Sequence, residues 1–161
     1  MARVLSSETL EAIQALFKRY PTRLAALLPS LHLVQKQCGH ISQEAELDVA
    51  EALDVPPTRV REVVTFYTMY HSKPVGKHVV KICRNLSCKL RGADKIIAHA
   101  KKVLGVELGE TTADGCITLD QDECLASCGT GPMLWCDDAV VENLTEEKLE
   151  AFLAGLRSRD A

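Results

Sequence analysis

The chain has no run of eighteen uninterrupted apolar residues, and its start, MARVLSSETL, passes into a polar helix opening rather than an apolar targeting segment. Neither a membrane-spanning helix nor a secretory leader is expected, and a soluble intracellular protein is the default. It also lacks a positive excess. Lysine and arginine number 19 against 22 aspartates and glutamates, a net charge of −3, whereas gripping a phosphate backbone calls for a basic patch. Internal repeats, low-complexity segments, a paired-carboxylate pattern and a Ser-His-Asp set cannot be picked out. Nor is there a C-x-x-C pair, the element a thiol oxidoreductase uses. The cysteines number seven. An odd count with no sign of secretion is poorly explained by a disulfide framework, and metal or redox chemistry moves up.

What remains is 161 residues, 47% of them apolar, enough for one sizeable core or two small ones in an ordinary globular protein. The two halves differ. Met1 to Gly76 carries eight basic and eight acidic residues, the remainder eleven and fourteen, and that remainder holds six of the seven cysteines.

Up to about Tyr70 the apolar residues recur at helical spacing. Ser6 or Ser7 caps a first helix with Leu10, Ile13, Leu16 and Phe17 on one face, ending near Pro21. Leu24, Leu27, Leu28, Leu31 and Val34 share a face of a second, which Pro29 kinks or restarts and the glycine of CGHIS stops. SQEAELDVAEALDV gives a third helix from a Ser42 cap, and PPTRVREVVTFYTMY a fourth with Pro57 near its start. Beyond SKPVG the period changes. HVVKIC reads as a strand, GADKIIAHAKKVLGV as a helix with Ile96, Ile97, Ala100 and Leu104 inward, and CITLD, MLWCD and AVVENL as short strands. Thr145 caps a last helix lined by Leu149, Phe152, Leu153 and Leu156. The expected class is α+β: a helical bundle over residues 1–74, then a small α/β domain over 75–161, in the order βαβββα or, with one strand fewer, βαββα.

Chemistry concentrates in four cysteines. Cys83 and Cys88 are separated by four residues and fall on a strand-to-helix loop; Cys124 and Cys128 are separated by three, with Gly129, Gly131 and Pro132 arguing for a second loop. Structural zinc uses pairs two to four residues apart, so spacing leaves it open. A [2Fe-2S] rhombus is longer than one ion and can be gripped by a loop at either end, two thiolates per iron. The plant-type ferredoxin pattern needs a C-x2-C that is absent.

Cys83-x4-Cys88, thirty-five intervening residues, then Cys124-x3-Cys128 within ECLASCGTGPM resembles the thioredoxin-like [2Fe-2S] ferredoxin family. Within it the chain is most similar to the branch that supplies the E-type component of NADH:quinone oxidoreductases, the respiratory complex I. LLPSLHLVQKQCGHIS, VREVVTFYTMY and LRGA extend the likeness from roughly Leu10 to Leu156. The resemblance implies a helical part joined to a thioredoxin-like domain, with one [2Fe-2S] cluster on Cys83, Cys88, Cys124 and Cys128. It implies an electron-transfer subunit without substrate chemistry of its own, beside a flavoprotein partner that binds FMN and NADH, and among other peripheral-arm subunits. Such an assembly is cytoplasmic and peripheral to the inner membrane; no nucleic acid and no direct membrane insertion are implied. Homologous subunits of NAD-reducing hydrogenases and NAD-dependent formate dehydrogenases share this module. A zinc-stapled interaction module is the alternative of another class. The sequence departs from many relatives at CRNLSC, where a threonine- and glycine-rich loop is common, and at Ala126, where glycine is common.

Between Lys73 and Lys102 stand nine basic residues and one acid; between Val103 and Glu147, eleven acids and neither lysine nor arginine. If that polarity survives folding, an added electron favours the iron held by Cys83 and Cys88. Cys38, Cys116 and Cys136 have no partner at ligand spacing and read as small buried residues. His32, His40, His71, His78 and His99 show no paired spacing. FYTMY reads as packing between the domains, and GTGP, lacking the lysine of a phosphate cradle, as backbone that approaches the cluster sulfurs.

Overall fold

The computed structural model describes residues 3–159. The chain forms two compact units that divide between Pro74 and Val75.

The first unit is helical. Ser6 caps α1 (Ser7–Leu16), its hydroxyl accepting from the Thr9 N–H at 3.1 Å. A short 3₁₀ turn, Leu24–Ala26, leads into α2 (Leu27–Cys38). Pro29 lies in the first turn of α2, where its missing N–H would have had no helical partner, so it starts the helix rather than kinking it. Gly39 ends it at φ 75°, a left-handed conformation that costs glycine little. Ser42 caps α3 (Gln43–Leu53), and α4 (Pro57–Phe66) opens on proline. Glu46, 5% exposed, is neutralised by Arg61 at 2.8 Å, which ties α3 to α4. Ile13, Leu27, Leu31, Val34, Val49, Leu53 and Val60 fill the core, whereas Leu24 is exposed because it precedes α2 in the 3₁₀ turn. FYTMY does not act as one packing element. Tyr70 is buried in this unit's core with its hydroxyl donating to the Leu28 carbonyl at 2.9 Å, while Phe66 is 77% exposed. Burial, and secondarily Tyr67, pushes the Tyr70 phenol up to about 12.

The second unit is built on a five-stranded sheet in the order β2-β3-β1-β4-β5. β1 (His78–Cys83) and β3 (Ile117–Asp122) run parallel in register from His78 opposite Ile117 to Cys83 opposite Asp122. β4 (Leu134–Cys136) pairs antiparallel with β1, and the edges are β2 (Glu110–Thr111) and β5 (Ala139–Val141). The β1-to-β3 connection holds α5 (Leu86–Leu90), α6 (Ala93–Leu104) and β2. Val80, Ile82, Ile117, Leu119 and Leu134 present one sheet face to Ile96, Ile97, Ala100 and Leu104 of α6 and to Leu149, Leu153 and Leu156 of α7 (Glu146–Arg159). Thr145 accepts from the Lys148 N–H and opens α7. The order exceeds the expectation by one short helix and one two-residue strand. α5 is a single turn and β2 too short for alternation to register.

Candidate metal centre

In-register parallel pairing brings the ends of β1 and β3 to the same rim of the sheet. Cys83 is the last residue of β1; Asn85 then turns the chain, its carboxamide oxygen accepting from the Leu86 N–H at 2.7 Å, and Cys88 follows within α5. Cys88 is therefore on a helical turn, not in the open loop that the sequence suggested. Cys124 and Cys128 lie on the loop that leaves β3 for β4.

The four thiols meet as two pairs. Cys124 and Cys128 Sγ stand 3.7 Å apart, and Cys88 has the Cys83 thiol as its neighbour, which helps to raise it. Cys83 Sγ also points to the Glu123 carbonyl at 3.4 Å, so the first cysteine segment touches the second. Cys83 and Cys88 are buried; Cys124 and Cys128 are exposed. Burial, then the Cys83 thiol, pushes Cys88 up to about 11, although a backbone hydrogen bond at Met133 opposes the shift. Cys128 is raised chiefly by the hydrogen bond and charge of Cys124. Crowded thiols that resist ionising one beside another are what a positively charged metal centre would relieve.

Three contacts hold the second loop in place. Arg91, just after α5, donates from Nη1 to the Gly129 carbonyl at 2.8 Å and to that of Gly131 at 3.3 Å. Thr130 donates to Glu142 Oε1 at 2.6 Å, and this bond, with one from Ser127, holds the Glu142 carboxyl below its ordinary value. Gly131 fits because it has no side chain. A Cβ there would stand 2.7 Å from Cys88 Sγ and 3.3 Å from Cys88 Cα. Ala126, between the two exposed cysteines, is held at φ 68°, a left-handed conformation that disfavours any residue with a Cβ.

The charge divide read from the sequence is bridged at this rim. Arg84 pairs with Glu123, and Lys81 with Asp122 at 3.4 Å, so the residues flanking the two cysteine pairs neutralise one another.

Tetrahedral zinc with sulfur at about 2.3 Å holds its four ligands about 3.8 Å apart. Among the described residues, the donors that gather as a trio within 4.8 Å of one another are His78, Cys136 and Asp137, not any three of these four sulfurs. The four sulfurs therefore do not converge as tightly as a single tetrahedral ion requires. The trio itself was invisible in the sequence, where His78 and Cys136 stand far apart; only the pairing of β1 with β4 brings them together.

Comparison with known proteins gives the family. The family model for thioredoxin-like [2Fe-2S] ferredoxins matches residues 13–157. The chain is 37% identical to the second E-type component of the NADH-quinone oxidoreductase of Rhizobium meliloti, over 93% of this chain and 89% of that protein. It is 39% identical to NADH-quinone oxidoreductase subunit 2 of Thermus thermophilus, over 91% and 82%. Its fold is similar, with a TM-score of 0.71 at 16% identity, to part of the crystal structure of an NAD+-reducing [NiFe]-hydrogenase. That likeness covers 83% of this chain and 23% of the hydrogenase chain, and it is one of fold.

Proposed function

Because the chain belongs to the thioredoxin-like [2Fe-2S] ferredoxin family, we propose that it is the electron-transfer subunit of an NADH:quinone oxidoreductase. Family membership implies one [2Fe-2S] cluster, and the residues that would hold it are Cys83, Cys88, Cys124 and Cys128. When bound, the cluster supplies one-electron chemistry. The observation carrying this reading is the arrangement of the four thiols as two pairs at one sheet rim, one pair spaced at 3.7 Å, with the place of a Cβ at Gly131 taken by Cys88.

The protein's part is ligation and insulation. Buried Cys83 and Cys88 keep one side dry, Cys124 and Cys128 leave the other accessible, and Arg91 and Glu142 fix the loop between. The accessible side is where a flavoprotein subunit carrying FMN and NADH would dock, with the other peripheral-arm subunits beyond it. No helix among the described residues is long and apolar enough to cross a membrane, which suits a position on the cytoplasmic face of the inner membrane, held there through the complex. A place in an NAD-reducing hydrogenase is the second reading, favoured by the shared fold.

Absorption spectroscopy with iron and sulfide analysis tests the first claim. A [2Fe-2S] protein is coloured, bleaches on reduction and holds two irons; a colourless protein with zinc on the four cysteines overturns it. Co-purification separates the assemblies: quinone oxidoreductase subunits support the first reading, hydrogenase subunits the second.

A further inference from the structure

At the end of β1 opposite Cys83, His78 Nδ1 lies 2.6 Å from Asp137 Oδ2, and Cys136 Sγ completes a set of three donors within 4.8 Å of one another. We infer that His78, Cys136 and Asp137 form a second metal site, distinct from the cysteine rim, that takes one zinc-class divalent ion through nitrogen, sulfur and oxygen.

Placement comes from the sheet. β1 pairs with β4 in the register Val80 opposite Cys136, which sets His78 of β1 beside the turn that follows β4. His78 and Cys136 lie on the helix-covered face with Val80 and Leu134. The His78 side chain is 13% exposed and Cys136 1%, so two of the three donors are fixed by the core, while the Asp137 side chain is 49% exposed and leaves an approach from solvent.

The turn aims the third donor. Asp137 and Asp138 connect β4 to β5, with Cys136 paired to Ala139, and Asp137 adopts φ 52°. Aspartate is among the few residues other than glycine that tolerate that conformation, and unlike glycine it brings a carboxylate. Trp135 Nε1 donates to the Asp137 carbonyl at 2.6 Å and braces the turn.

Imidazole, thiolate and carboxylate are the donors zinc uses, at roughly 2.0–2.3 Å. Ligands that close imply nitrogen and oxygen about 3.3 Å apart, so the ion would enter as the His78–Asp137 hydrogen bond opens by less than about 1 Å. Three protein ligands leave the fourth tetrahedral position to water or to another molecule. A site of this kind would pin the β4–β5 hairpin to β1. The strand rise of about 3.3 Å per residue puts it about 16 Å along β1 from Cys83, so occupancy here need not disturb the cysteine rim.

The test uses the full chain with its iron loaded, so that the rim cysteines are not open to zinc. Equilibrium dialysis against zinc chloride, with zinc and iron counted per chain, is expected to give one zinc beside two irons. Zinc K-edge absorption is expected to show one sulfur neighbour. His78→Ala, Cys136→Ala and Asp137→Asn should each weaken zinc binding by about 100-fold or more, and Cys116→Ala should leave it unchanged. Asp137→Asn, which suits the same turn, keeps the test valid should a variant at His78 or Cys136 fold poorly. Zinc absent at full iron loading, several sulfur neighbours, or binding unmoved by Asp137→Asn overturns the site.

Discussion

At the scale of single residues, the thiol environment makes the sharpest demands. Cys88 is pushed up to about 11 by burial and by Cys83, so in the iron-free chain it is a neutral thiol at ordinary pH. Ligation needs the thiolate and therefore expels a proton; iron should be taken up more tightly as pH rises from about 7 to about 9, measurable by competition with a chelator. A raised folded value also means that neutral Cys88 contributes stability below the ordinary thiol range, and that this is lost as pH climbs through about 11. The melting temperature of the iron-free chain should fall across that window and that of Cys88→Ala should fall less. Ala126 offers a second test. Its φ of 68° costs an L-residue about 1–2 kcal/mol, partly offset by glycine's greater freedom when unfolded. Ala126→Gly should stabilise the iron-loaded protein by up to about 1 kcal/mol in urea titrations and slow iron release. Gly131→Ala should do the opposite, because the new methyl displaces Cys88 Sγ; reduced iron and sulfide content after purification would register it.

Elements explain what was legible and what was not. Long amphipathic segments could be read directly: Ile96, Ile97, Ala100 and Leu104 are buried along α6, and Ser6, Ser42 and Thr145 all cap helices. These signals are local, with spacing set by the helix itself. The cysteine pairs were legible for the same reason, each lying within a few residues of sequence. α5 and β2 were not, since a single turn and a two-residue strand are shorter than the period that would reveal them. The trio at His78 escaped for another reason: strand pairing across most of the domain creates it. Loop anchoring is also a property of elements. Arg91 reaches back from the end of α5 to two carbonyls of the second cysteine loop. Arg91→Met should cost about 1 kcal/mol at this exposed position, and cluster loss to a chelator should quicken, with far-UV circular dichroism unchanged.

For the whole molecule, the decisive feature is that neither large core contains a rim cysteine. The helical unit is filled by residues such as Leu31 and Val49, the sheet unit by residues such as Leu119 and Leu149; Cys83 and Cys88 belong to a small separate cluster with Ala93 and Met133. Stripping iron with a chelator under reducing conditions should leave the helical circular dichroism signal nearly intact, in contrast to small zinc domains that unfold without metal. Leu149→Ala, by comparison, should destabilise the fold by about 2–5 kcal/mol with or without iron, read from denaturant midpoints. The division into a helical part and an α/β part followed from a change of hydrophobic period near SKPVG, whereas the strand order followed from no local signal and required the pairings themselves. That strand order has an implication for relatives and for engineering. Since β1 and β3 run alongside each other and finish together, the distance between the two sulfur-bearing segments is set by neighbouring strands, not by the thirty-five residues separating Cys88 from Cys124. The intervening excursion can lengthen or shorten at its outer turns while the binding geometry stays put, so a search pattern should hold the two short intervals rigid and let the long one float.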